Sequence, residues 1–144
     1  MIVDVKKVNS LDEEKAEIRV VERTQDIQAA IDLLEGNAGG IAVIQDGKTY
    51  LCKQNNIYYI ESVDKRTYIY TKDNCYETKY RLYELESMLN GFFVRCSKAM
   101  VINLRKVKAF QSELGGRMVA TLLNDEQIIV SRSYVKEIKR RLNL

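Results

Sequence analysis

Apolar positions along the chain follow two periods. From residue 41 onward short runs alternate or cluster as strands do, with turn residues between them. Residues 41–45 (IAVIQ) and 49–53 (TYLCK) flank Asp46-Gly47, a strong two-residue hairpin signal. Residues 57–61 and 66–71 flank Val63-Asp64-Lys65, and Lys72-Asp73-Asn74 turns into 75–78. Further runs fall at 92–97, 100–103, 107–111, 117–123 and 127–131, with turns at Gly115-Gly116 and Asn124-Asp125-Glu126. Met118, Ala120 and Leu122 share one face of their strand, opposite Arg117, Val119 and Thr121. Helical spacing occurs three times. In 25–35, Ile27, Ala30, Ile31 and Leu34 share a face, Thr24 is the N-cap and Gly36 the stop. In 80–90, Leu82, Leu85, Met88 and Leu89 align before Asn90-Gly91, and in 133–142, Val135, Ile138 and Leu142 align. Residues 2–8 and 16–21 read as two further short strands. No internal repeat emerges. The pattern predicts a mainly β protein with a few helices, of the α+β class.

Composition divides the chain. All nine Tyr and three Phe lie at or after Tyr50, which sets a small β/α extension, residues 1–39, apart from a larger domain, residues 40–144. The boundary falls near Gly36-Asn37-Ala38-Gly39-Gly40. With 46% hydrophobic and 30% charged residues in 144, the chain has enough apolar surface to fold. Histidine is absent. That excludes Ser-His-Asp and Cys-His catalysis and imidazole metal ligation, and no enzymatic activity, cofactor, metal or small-molecule substrate is expected. Three cysteines at wide spacing (Cys52, Cys75, Cys96) suggest neither a disulfide framework nor a zinc ribbon. Without an apolar run of membrane-spanning length or a signal-peptide pattern, a reduced cytoplasmic protein is expected.

The formal net charge of +3 hides a gradient. Residues 1–35 carry five Lys/Arg against nine Asp/Glu, residues 36–90 seven against seven, and residues 91–144 eleven against four. A basic C-terminal third suits nucleic acid, an anionic membrane surface or an acidic partner, and it equally suits an ordinary solvated face.

Five segments in unbroken order then resemble one family. They are IYYIES at 57–62, LYELE at 82–86 with Leu89, FVRCS at 93–97, VINL at 101–104 and VSRSY at 130–134. Together they resemble the LytTR family of bacterial DNA-binding domains over roughly residues 40–144. The resemblance implies an elongated arrangement of small antiparallel sheets that regulates transcription. It implies recognition of duplex DNA by loops inserted into successive major grooves, with two protein copies on repeated sites.

Three regions approach DNA in such domains. Here they are Asp64, Lys65, Arg66 and Thr67 in the first turn, Ser97 and Lys98 with Arg95 beside them, and Ser131 with Arg132. Arg can pair bidentately with guanine, whereas Lys, Ser and Thr more often position the phosphate backbone. Ser97 stands where many relatives have His, and Thr67 where some carry a longer polar side chain. Arg132 could instead form a helix-entry contact, and Arg95 could organise its loop. Asn103 suits a backbone-bonding role, and Tyr58, Tyr59, Tyr68 and Tyr70 suit sheet packing better than base stacking. Cys96 is either a small buried apolar residue or a thiol whose oxidation alters binding. Glu84 and Glu86 read as solvated.

Many relatives carry a phosphorylated receiver domain ahead of this module, which about 40 residues cannot form, so control is expected to come otherwise. Residues 1–39 are candidates for dimerisation or partner contact. Some stand-alone relatives are encoded beside small membrane proteins, so a membrane-protein antagonist is a candidate partner. The rival reading is a protein-interaction module whose basic face meets an acidic partner.

Overall fold

The computed structural model describes residues 1–35 and 40–144. Helix α1 spans Gln25–Leu34. Ten strands follow among the described residues: β1 Ile41–Gln45, β2 Lys48–Cys52, β3 Tyr59–Val63, β4 Arg66–Tyr70, β5 Cys75–Thr78, β6 Phe93–Ser97, β7 Met100–Asn103, β8 Val107–Ser112, β9 Met118–Leu122 and β10 Gln127–Val130. Helix α2, Leu82–Met88, separates β5 from β6, and helix α3, Arg132–Leu142, follows β10. All pairings are antiparallel, in a seven-stranded sheet ordered β2-β1-β5-β4-β3-β7-β6 and a three-stranded sheet ordered β10-β9-β8. The fold is mainly β with helices at its margins, as the periodicity predicts.

Alternation along the central strands explains the layering. Ile60, Ile69, Phe93 and Val101 point to one face of the large sheet and pack with Leu82 and Leu85 of α2. Their neighbours Tyr59, Val94 and Ile102 point to the other face. There they meet Met118, Ala120, Leu122, Ile128 and Val130 of the small sheet and Ile138 of α3. A period of two along each strand thus sends successive side chains into two cores. Tyr59 donates its hydroxyl hydrogen to Glu126 Oε2 at 2.8 Å, joining the sheets, and stacks on Tyr70 with 4.3 Å between ring centres. Asn103 is buried with both ends of its amide bonded: it donates to the Ile57 carbonyl at 2.8 Å and accepts from the Arg105 amide at 3.0 Å. The aromatic packing and the role of Asn103 are as expected.

Several expectations are corrected. Residues 2–8 and 16–21 form no strand, because none of the sheet pairings among the described residues reaches them. A strand is not stable without a partner edge. Helix α1 is capped by Thr24, whose Oγ1 accepts from the Ile27 amide at 3.3 Å; its expected stop, Gly36, and the boundary residues 36–39 lie outside the described residues. Helix α2 is shorter than 80–90. It starts where Glu84 Oε1 accepts from the Arg81 amide at 3.0 Å and ends as Leu89 turns extended at φ −84°, leaving Met88 exposed. Helix α3 begins one residue early, at Arg132. Glu84 and Glu86 are not merely solvated: the first caps α2 and the second pairs with Arg95.

Candidate nucleic-acid interface

Two backbone hydrogen bonds gather the three segments singled out in the sequence. The β3–β4 turn joins Val63 to Arg66 through two residues, Asp64 at φ 50° and Lys65 at φ 65°. Both are left-handed, as a type I′ turn requires, and neither is glycine. Antiparallel pairing of β3 with β7 brings the β6–β7 turn to the same end of the sheet, where Ser62 donates its amide to the Ala99 carbonyl at 2.8 Å. Beyond the small sheet the chain returns to β6, and the Ser131 amide donates to the Cys96 carbonyl at 2.8 Å. The third segment is thereby docked beside the second.

Side chains at this end divide by what they touch. Lys65, Lys98 and Arg132 are exposed. Arg66 is exposed as well, with a loose 3.9 Å pairing to Glu77. Ser97 is half-buried, and its Oγ accepts from the Ala99 amide at 3.3 Å, so it shapes the turn that presents Lys98. Ser131 occupies the N-cap position of α3, yet its hydroxyl accepts no bond from the helix among the described residues. Arg95 is committed inward: its guanidinium pairs with Glu86 and donates to the Lys98 carbonyl, holding the turn from beneath.

Thr67 differs from its neighbours. Only 3% of it is exposed, so its side chain turns into the sheet, whereas Lys65 and Arg66 are exposed. The signal was in the sequence: within RTYIY, Thr67 shares its face with buried Ile69, while Arg66 shares its face with Tyr68.

Sequence reasoning missed four further cations. Pairing of β4 with β5 and the entry to α2 place Lys79 and Arg81 around the same depression as Lys65 and Arg66, and Arg81 Nη1 donates to the Lys65 carbonyl at 3.2 Å. Lys136 and Lys139 follow Arg132 at i+4 and i+7, so they continue its face of α3. With Arg140 they line an open depression of about 490 Å³. That helical spacing was legible once α3 was placed. Arg132 itself lies over Gly116, where an added Cβ would stand 3.0 Å from its Cγ and Cδ. Gly116 has φ +81°, so both its backbone and its lack of a side chain serve that approach.

Cations dominate the site locally, and the anions among them, Glu77, Glu86 and Glu137, are paired with arginines. Hydrogen bonds from Arg140 and Arg141 hold the Glu137 carboxyl down at about 2. Arg141 also donates to the Gly91 carbonyl and so pins α3 along β6. Cys96 sits in a register shift of β6 between Arg95 and Ser97. Its thiol is fully buried, and burial pushes it up to about 12, so it packs as a small apolar group. No group of His, Cys, Asp and Glu among the described residues is arranged to hold a metal, and no described helix is long and apolar enough to cross a membrane.

Known proteins are similar to this chain in sequence and, in one case, in fold. The family model of the LytTr DNA-binding domain matches residues 47–143. The transcriptional regulatory protein YpdB of Escherichia coli strain K12 is 29% identical over 106 residues, covering 72% of this chain and 43% of that protein. The transcriptional regulatory protein LytR of Staphylococcus aureus strain MW2 is 31% identical over 100 residues, covering 69% of this chain and 41% of that protein. The chain therefore spans about two fifths of the length of these curated relatives. A solved LytTr DNA-binding domain from Bacillus cereus superposes with a TM-score of 0.70 at 24% identity, over 73% of this chain and 97% of that one, a likeness of fold.

Proposed function

This chain belongs to the LytTR family of DNA-binding transcriptional regulators, and on that premise we propose that residues 40–144 read duplex DNA through the sheet end where the three segments converge. The turn at Lys65 and Arg66, the turn at Ser97 and Lys98, and the entry to α3 at Ser131 and Arg132 enter successive major grooves. Two copies occupy a repeated site. Arg132 is the candidate for bidentate guanine contact, since its guanidinium stands free of ion pairs among the described residues. Lys65, Lys98, Lys136 and Lys139 neutralise phosphates. Arg95 and Thr67 support the loops from within.

The observation that carries this reading is the pair of backbone bonds, Ser62 to Ala99 and Ser131 to Cys96, which bring cations from three distant parts of the sequence to one edge. Selection of a consensus from random duplex DNA, followed by fluorescence anisotropy across a salt series, tests it. Arg132→Ala is expected to cost about 1–3 kcal/mol and relax base choice at one position; Lys98→Ala should weaken all sequences alike and lower the salt slope by about 1. Unchanged affinity and slope in both variants would reject the assignment.

A further inference from the structure

Residues 1–35 hold apolar surface that this chain does not cover. Ten exposed large apolar side chains lie in residues 1–34, and α1 buries none of its residues fully. Burying a whole Val, Ile, Leu or Met side chain hides roughly 60–120 Å², and with Val8, Ile18, Val20 and Leu34 already half-covered the ten offer roughly 400–800 Å², which approaches the roughly 800 Å² per partner of a specific interface. A monomer rarely leaves so much apolar surface in one segment. The segment is also tethered. Leu11, in the short helical turn Leu11–Glu13 between the two runs at 2–8 and 16–21, packs against the core beside α3.

The charges in the two runs are self-complementary. Paired antiparallel with a copy of itself about Ile18, the run at 16–21 sets Glu17 opposite Arg19 and Ala16 opposite Val20. The run at 2–8, paired about Val5, sets Asp4 opposite Lys6 and Ile2 opposite Val8. In the single chain these partners meet only as exposed neighbours two residues apart, Arg19 with Glu17 at 3.1 Å and Lys6 with Asp4 at 3.9 Å. A two-fold axis through the central residue of each run sets one acid against one base, Asp4 against Lys6 and Glu17 against Arg19, with Lys7 left facing Val3, as an isologous interface allows. An acidic or basic partner would satisfy only half of these charges.

We propose that residues 2–34 form a dimerisation arm, in which the runs at 2–8 and 16–21 become strands paired with a second copy of this chain and α1 covers their apolar face. The arm joins two copies without DNA, and so goes beyond the reading of the DNA edge.

Sedimentation velocity of the full chain across micromolar concentrations, without DNA, tests this. The chain should self-associate. Glu17→Arg and Arg19→Glu should each raise the dimer dissociation constant about tenfold, by opposing like charges, while an equimolar mixture of the two variants should recover wild-type association as a heterodimer. A monomeric wild type, single variants that associate normally, or a mixture no better than its components would overturn the arm. All these side chains are exposed, so the variants should fold, and their affinity for a single DNA half-site should equal that of the wild type. Loss of half-site affinity in the Arg132→Ala variant bears on the DNA edge alone and leaves the dimerisation result to stand or fall separately.

Discussion

Ser131 donates its backbone amide to the carbonyl of Cys96 at 2.8 Å, although the whole three-stranded sheet lies between them in sequence. That bond fixes the start of α3 against β6 and sets Arg132 near the turn that carries Lys98. The proposed DNA edge therefore depends on docking of the small sheet as well as on its own side chains.

The left-handed conformation of Lys65 separates stability from binding. A non-glycine residue in that region costs about 1 kcal/mol, and Lys65 holds it at φ 65° while presenting its ammonium at the turn. Lys65→Gly should therefore raise unfolding stability by about 1 kcal/mol in a denaturant titration and weaken DNA binding. A variant that lost stability, or one that bound DNA as tightly as before, would contradict the role given to the turn.

Gly115 and Gly116 provide a matched pair. Both have positive φ, at 85° and 81°, so alanine at either should destabilise by about 1–2 kcal/mol. Only at Gly116 would the new methyl reach Arg132, since nothing lies within 4 Å of a Cβ at Gly115. Gly116→Ala should accordingly lower DNA affinity as well as melting temperature, while Gly115→Ala should lower the melting temperature alone. Equal DNA affinities in the two variants would show that the position of Arg132 over Gly116 is immaterial.

The Glu137 carboxyl gives a pH signature. Arg140 and Arg141 hold it at about 2 in the folded chain, below the roughly 4.3 of an unfolded glutamate. A carboxyl depressed by folding contributes stability above its unfolded value and loses that contribution as pH falls through the folded one. The difference in melting temperature between the wild type and Glu137→Gln should thus be constant near neutrality and shrink between about pH 4 and pH 2. Because the pair is exposed, the difference should be small and should diminish with added salt.

The thiols should differ in reactivity. Cys75 is exposed, whereas Cys52 and Cys96 are buried and burial raises both thiols. An aromatic disulfide reagent should modify Cys75 rapidly in the native protein and the other two only on unfolding. Rapid native modification of Cys96 would restore the alternative in which its oxidation governs binding.

By itself the sequence determined what local periodicity and turn chemistry can determine. Asp46-Gly47 closed the first hairpin, and Met118, Ala120 and Leu122 took the buried face of β9 because a strand alternates every residue. Absent histidine and the five ordered motifs narrowed function to a family. Alternation could not decide whether an apolar run becomes a strand: residues 2–8 and 16–21 read as strands in the sequence, but no sheet pairing among the described residues reaches them. Nor could spacing show that Lys79 and Arg81 lie beside Lys65, that Arg95 turns inward to Glu86, or that Arg132 rests on Gly116. Those are long-range juxtapositions, created by strand order and by the return of the chain to β6, and only the tertiary structure decided which cations share an edge.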